Sequence, residues 1–174
     1  THGSSSPGTW RCNMSNPIVA QTNAALPIRR AAAGDAPDCA QIIYDWLAST
    51  SWLTTPPSAD MIAQSLASGI ETYEVWVAGS ETPGDPVAGY LSFGPDAALI
   101  RGFYVNSPGA GTGKALLDHI KQGKSTLQLW THAPNTRAHD FYLREGFTFS
   151  GKSRAGTDGP EELHMLWQRP QAPE

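Results

Sequence analysis

Three glycines at alternate positions, Gly109, Gly111 and Gly113, separate a strand-like run ending at Val105 from a helix-like run whose first turn holds Lys114. Glycine lets the backbone adopt positive φ and come close to a ligand. The free N–H groups and the positive dipole end of the helix then face any anion lodged there, and Lys114 adds a full charge. The turn therefore reads as a pyrophosphate cradle. A flexible strand-to-helix connection is the plainer reading, because glycine favours that too. Two nucleotide-binding patterns fail on counting. A P-loop needs G-x-x-x-x-G-K-[ST], but Pro108 stands at the first glycine of Gly113-Lys114, Ala115 replaces the hydroxyl residue, and Asp118 stands at the first glycine of Gly123-Lys124-Ser125. A Rossmann G-x-G-x-x-G fails because these glycines alternate in mid-chain.

Around the turn, helices and strands mix. Leu26 to Arg30 predicts a short strand. Asp35 is the expected cap of a helix to about Ala48, with Pro37 in its first turn, where a missing N–H costs nothing. Cys39, Ile42, Ile43, Trp46 and Leu47 recur at helical spacing and mark its buried face. Ser58 to Ala67 predicts a second helix ending at Gly69. Strands are expected over Thr72–Ala78, Val87–Phe93 and Ala97–Val105, with Pro83-Gly84-Asp85 as a turn. A helix from about Gly113 to Gln122, a strand Leu127–Thr131, a helix Thr136–Glu145 stopped by Gly146, and strands Phe147–Ser150 and Leu163–Gln168 complete the order. This is a mixed α/β (α+β) domain over residues 25–169. Residues 1–24 are polar and without period, and predict a disordered leader. Met14 is the expected natural start, with Thr1 to Asn13 a non-native leader; residues 170–174 predict a loose tail.

The net charge of −4 and the absence of a basic run leave no electrostatic footprint for nucleic acid. No apolar run reaches the roughly 18 residues of a membrane span, and no signal-peptide pattern opens the chain. Cys12 and Cys39 lack metal spacing and predict two free thiols in a reducing cytoplasm, with one disulfide between them as the alternative.

The segment Asn135–Phe147, NTRAHDFYLREGF, makes the pattern specific. With Pro108 to Gly113 it resembles the GNAT superfamily of acyl-CoA-dependent N-acyltransferases. That family carries [RQ]-x-x-G-x-[GA] after its fourth strand and N-x-x-A-x-x-F-Y-x-x-x-G-F after its fifth. Asn135, Ala138, Phe141, Tyr142, Gly146 and Phe147 match every position of the second pattern. Phe103-Tyr104-Val105 and Ile28-Arg29-Arg30-Ala31…Gly34-Asp35-Ala36 are also typical of it, and the element order is the family's. Pro108 replaces Arg or Gln and has no N–H, and the loop before it is shorter than usual; both weaken the expected cradle.

The resemblance implies a mostly antiparallel sheet of about seven strands flanked by about four helices, with acetyl-CoA as co-substrate. It implies an acetyl group moved directly to an amine of a small molecule or peptide, without a metal; an acyl-CoA-binding sensor or scaffold without turnover is the alternative. Gly109, Ala110, Gly111, Thr112, Gly113 and Lys114 would bind the pyrophosphate, Phe103, Tyr104 and Val105 would pair with the pantetheine arm, and Asn135 would contact the cofactor. Tyr142 would protonate the departing thiolate, and a strand N–H would stabilise the oxyanion. The family also admits a homodimer. On the acceptor side, Trp52 in the loop between the first two helices, His132 at the end of the fifth strand and His164 on the last strand are candidates. Glu71, Glu74 and His132 are candidate bases, each also readable as a solvated surface residue, while His119 and His139 are expected to be exposed. Leu129-Trp130-Thr131, Glu161-Glu162 and Trp52 resemble a bacterial branch of the family without an agreed substrate.

Overall fold

A short strand pairs with the edge of a sheet that grows strand by strand along the chain, and helices cover its two faces. The computed structural model describes residues 25–53, 55–157 and 159–172; the leader expected over 1–24, with Cys12, lies outside them. The strands are β1 (Ile28–Arg30), β2 (Glu74–Ala78), β3 (Gly89–Gly94), β4 (Leu99–Val105), β5 (Thr126–His132), β6 (Thr148–Arg154) and β7 (Glu162–Gln168). The helices are α1 (Ala36–Ser49), α2 (Ala59–Thr72), α3 (Thr112–Lys121) and α4 (Thr136–Arg144). The sheet order is β1-β2-β3-β4-β5-β7-β6. Every neighbouring pair is antiparallel except β4 and β5, which are parallel because α3 carries the chain back between them.

The strand alternation sorts the core into two layers. Leu91, Phe93, Ile100, Leu127, Leu129 and Met165 point toward α3 and α4, where Leu116, Leu117, Ile120 and Tyr142 meet them. Val75, Val77 and Tyr90 point the other way, onto Cys39, Ile42 and Ile43 of α1 and Ile62 of α2. Each fully buried aliphatic or aromatic side chain here contributes roughly 1.5–3 kcal/mol.

Four local expectations change. Asp35 does not cap α1 through its side chain. Its carboxylate is fully buried and accepts from Arg29 at 2.7 and 2.8 Å, from the Ala32 N–H at 2.8 Å and from the Gly84 N–H at 3.1 Å. The Arg29 guanidinium holds its pKa down at about 2. It ties β1, the start of α1 and the β2–β3 loop into one corner. The second helix does not end at Gly69: Ser58 caps it, accepting from the Met61 N–H, and it runs on to Thr72, because Ile70 packs into the α1–α2 layer. The strand expected from Ala97 starts at Leu99, because a 3-10 turn and a left-handed Ala98 precede it. The sixth strand extends to Arg154 because β7 pairs along it past an irregularity between Phe149 and Ser153.

Candidate active site

β4 and β5 form a ladder for only two residues, Leu99 with Gln128 and Ile100 with Leu129, and then part. The cause lies in β4. Opposite β3, Ser92 pairs with Gly102 but Phe93 pairs with Ile100, so Arg101 is an extra residue, a bulge. A bulge bends its strand and increases the local twist. Beyond it the β4–β5 ladder does not continue, and a gap opens between the two strands. An extended ligand arm can pair with a strand edge as an added strand.

At the far end of the gap stands the glycine turn. Gly109 and Gly111 both have positive φ, 91° and 89°, and neither has an atom within 4 Å of where a side chain would begin. The turn is open to solvent. α3 starts at Thr112 with Gly111 as its N-cap and no side-chain cap, and its first backbone bond runs from the Ala115 N–H to the Gly111 carbonyl. The N–H groups before Ala115 thus have no partner within the helix, an arrangement suited to an anion. Lys114 does not lean over this turn as a lone charge: its ammonium is 2.8 Å from Asp118 and 3.5 Å from Glu145.

On the α3–α4 face of the gap, Phe103 packs edge-on against Phe141 at 5.9 Å and lies 6.3 Å from Tyr142. Tyr142 also contacts Phe141 and Phe147. It is buried, and burial raises its phenol pKa; its hydroxyl makes no hydrogen bond among the described residues. Asn135 caps α4, its Oδ1 accepting from the Ala138 N–H at 3.3 Å, and its amide N–H₂ makes no hydrogen bond among the described residues.

The opposite face carries the remaining candidates. Trp46 of α1 lies 5.3 Å from Tyr104, 5.8 Å from Trp52 and 6.4 Å from His132, and Trp52 lies 5.1 Å from His132. Trp52 is therefore not an exposed loop tip; it folds over the end of β5. His132 Nε2 is 3.9 Å from Glu162, which also accepts from Arg154. His164 is buried with both ring nitrogens engaged, Nδ1 2.7 Å from Ser150 Oγ and Nε2 2.7 Å from Gln128 Oε1. The amide oxygen can only accept, so Nε2 carries the proton and Nδ1 accepts from the serine. Desolvation, with Lys152 and Arg154 nearby, lowers its pKa and keeps it neutral.

The other base candidates lie elsewhere. Glu71 is exposed on α2, and Glu74 is 3.6 Å from Arg30. His139 is not exposed as expected. It is buried, with Nε2 3.1 Å from the His132 carbonyl, because α4 lies across the end of β5. His119 is partly covered and sits 4.2 Å from Trp76, since that face of α3 lies on β2. Trp46, Arg101 and Arg154 border the gap and were not singled out by the sequence; Trp46 was absorbed into the helical core stripe, and a bulge leaves no trace in alternation.

No family model matches the chain, and no curated protein matches it by sequence. Solved structures match it in three dimensions. A ribosomal-protein-alanine N-acetyltransferase from Brucella melitensis is 24% identical, with 83% of this chain and 100% of that one covered at a TM-score of 0.62. The yncA protein from Salmonella typhimurium, solved with its cofactor acetyl-CoA, is 21% identical over 86% of this chain and 98% of that one, TM-score 0.61. An acetyltransferase of the GNAT family from Bacillus cereus is 13% identical over 84% and 99%, TM-score 0.65. At such identities the likeness is one of architecture, and the chain has the fold of the GNAT N-acetyltransferases.

Proposed function

We propose that this chain is a GNAT acetyltransferase that moves an acetyl group from acetyl-CoA directly to an amine. The observation that carries the proposal is the parted β4–β5 pair, with an open helix N-terminus at its end and the buried Tyr142 ring beside it. In this reading the backbone of Gly109 to Lys114 holds the pyrophosphate, and the β4 edge over Phe103, Tyr104 and Val105 binds the pantetheine arm. Asn135 offers its free amide to the cofactor.

An acetyl thioester supplies an activated carbonyl carbon. The amine nitrogen forms the new C–N bond, the C–S bond breaks, and Tyr142 gives its proton to the departing sulfur. A phenol kept protonated by burial suits that task. The amine proton leaves on the other face of the gap, where His132 lies against Glu162. Trp46 and Trp52 close that side against water. His164, with both nitrogens bonded, shapes the floor of the acceptor side and moves no proton. The acceptor is a small-molecule amine or a peptide. A cytoplasmic setting and the homodimer implied by the family belong to the same reading; among the described residues no helix is long and apolar enough to cross a membrane.

The test is calorimetric titration with acetyl-CoA, using ATP as control, followed by thiol release across an amine panel. Saturable micromolar binding with amine-dependent thiol release supports the reading. Binding without release from any amine would leave a sensor or scaffold of the same fold. No binding at millimolar acetyl-CoA would remove both.

A further inference from the structure

Three side chains that the acetyl transfer leaves idle form a chain of hydrogen bonds across β5, β7 and β6. Gln128 Nε2 donates to the Ala97 carbonyl at 2.6 Å, which turns its Oε1 toward His164. His164 Nε2 donates to that oxygen at 2.7 Å. His164 Nδ1, left as an acceptor, lies 2.7 Å from Ser150 Oγ and takes its proton as a hydrogen bond. The Lys152 N–H donates to the same serine oxygen at 3.3 Å. Because the Ala97 carbonyl can only accept, every donor and acceptor in the chain has one assignment.

Burial divides this chain in a useful way. His164 is buried, and desolvation keeps its ring neutral and able to take a proton. Ser150 is exposed at the edge strand. It sits where the β6–β7 register breaks, next to Gly151 at φ +84°, with no atom within 4 Å of where a Gly151 side chain would begin. A substrate can therefore approach the serine from solvent while the base behind it stays dry. A serine bonded to a histidine whose far nitrogen is held by a third group is the arrangement of a nucleophilic triad, and an amide can stand as that third group. Trp130 packs 4.9 Å from His164 and also lines a cavity of about 250 Å³ with Leu99, the β4 partner of Gln128. That volume is below the roughly 300–1,000 Å³ of pockets for drug-sized ligands and suits a short acyl chain.

The geometry points to a second catalytic site at Ser150, separate from the acetyl-CoA gap, that cleaves esters of small carboxylic acids. Ser150 Oγ bonds to the ester carbonyl carbon as its proton passes to His164 Nδ1. The carbon–oxygen bond to the alcohol breaks, and the alcohol leaves with that proton. Water then attacks the acyl-serine, gives a proton to Nδ1, and the acid departs as the serine regains it. Lys152 N–H stabilises the charge that gathers on the serine oxygen. Gln128 is a positioning residue: it holds the tautomer and exchanges no proton.

The experiment treats the full chain with a fluorophosphonate and, separately, with p-nitrophenyl acetate. Ser153, exposed on the same strand and without a histidine beside it, is the internal control. Peptide mapping should show Ser150 phosphonylated at least about a hundredfold faster than Ser153, the contribution of a positioned base. Ser150→Ala should lower nitrophenol release to the solution background while leaving the melting temperature unchanged. Gln128→Leu should slow labelling by roughly tenfold or more, and nitrogen-15 NMR should show His164 passing from protonated Nε2 alone to a mixture of tautomers. Equal labelling of Ser150 and Ser153 would overturn the assignment. So would nitrophenol release untouched by Ser150→Ala, or labelling of Ser150 without any ester cleavage. A Gln128→Leu variant that keeps both its rate and its tautomer would strike the positioning role.

Discussion

Replacing Tyr142 with Phe removes one oxygen and leaves the ring where it is. The ring contacts with Phe103, Phe141 and Phe147, at 6.3, 5.4 and 5.5 Å, are all made by carbon and survive the change. The hydroxyl has no hydrogen-bond partner among the described residues. The hydroxyl is not an enclosed orphan either, since Trp76 Nε1 is the buried side-chain polar atom without a partner among the described residues, so the melting temperature of the variant should hold. The loss should fall on the chemistry alone. A positioned proton donor contributes typically about 10²- to 10⁴-fold, or roughly 3 to 5.5 kcal/mol of barrier. Steady-state thiol release should therefore fall by at least about a hundredfold in kcat, while calorimetry gives an unchanged acetyl-CoA affinity. The sign of the pH dependence follows from burial. The phenol pKa is raised, so the acid stays protonated as the pH climbs, and the wild-type kcat should show no alkaline fall from this group below its ordinary value of about 10. A kcat within about threefold of wild type would refute the role given to the hydroxyl. A kcat loss that tracks a drop in melting temperature would refute the claim that the oxygen is structurally idle.

Asp35→Asn removes a charge whose folded pKa of about 2 lies below its ordinary 3.8. The carboxylate contributes roughly 2 kcal/mol that is fully present above pH 3.8 and is lost as pH falls toward 2, so the acid-unfolding midpoint of the variant should move to higher pH and its neutral-pH stability should drop. Gly111→Ala forces an L residue to φ +89° at a cost of roughly 1–2 kcal/mol; acetyl-CoA affinity by calorimetry should weaken by about tenfold. Gly102→Ala would put a methyl group onto the Tyr90 hydroxyl in the buried β3–β4 layer, and urea melts should show a loss on the order of 1–3 kcal/mol. Cys39 is buried and its thiol is pushed up to about 12, so peptide mapping after alkylation of the native protein should find it unlabelled.

What the sequence revealed and what it hid follow from how far apart the interacting residues lie. The Asn135–Phe147 segment is one helix with its cap and stop, and every part of its geometry, from the Asn135 cap to the left-handed Gly146, is decided within thirteen consecutive positions. The glycine turn is equally local. Asp35 has the sequence position of a cap, but its partners include Gly84, 49 residues away; a carboxylate before a helix looks like a cap until the tertiary ion pair is known. The second helix ran past Gly69 because burial of Ile70 outweighs the cost of a helical glycine, about 1 kcal/mol. Arg101 is the most consequential omission. The alternation along Ala97–Val105 assigns faces by parity, and one inserted residue changes the parity at the bend, which brings Ile100 and Phe103 to the same face. Pairing with β3 creates that bulge, and β4 alone carries no sign of it.

The arrangement also bears on the order of bond making. A two-step transfer needs a nucleophile in the gap to hold the acetyl group. The cysteine among the described residues, Cys39, lies in the α1–α2 layer against Val75, Val77 and Tyr90, and burial keeps it a thiol. It can neither reach the gap nor ionise to attack. What borders the gap is a phenol on one face and an imidazole–carboxylate pair on the other, side chains that trade protons. Strand parity enforces this separation: Thr131 points toward α3 and α4 while Trp130 and His132 point away, so His132 cannot share a face with Tyr142. In the proposed reaction an amine entering from the His132 side would meet the carbonyl between them, and the sulfur would leave toward Tyr142. Direct transfer is thus the course that the placement of these groups favours, since proton removal and proton delivery occur on opposite faces and neither blocks the other.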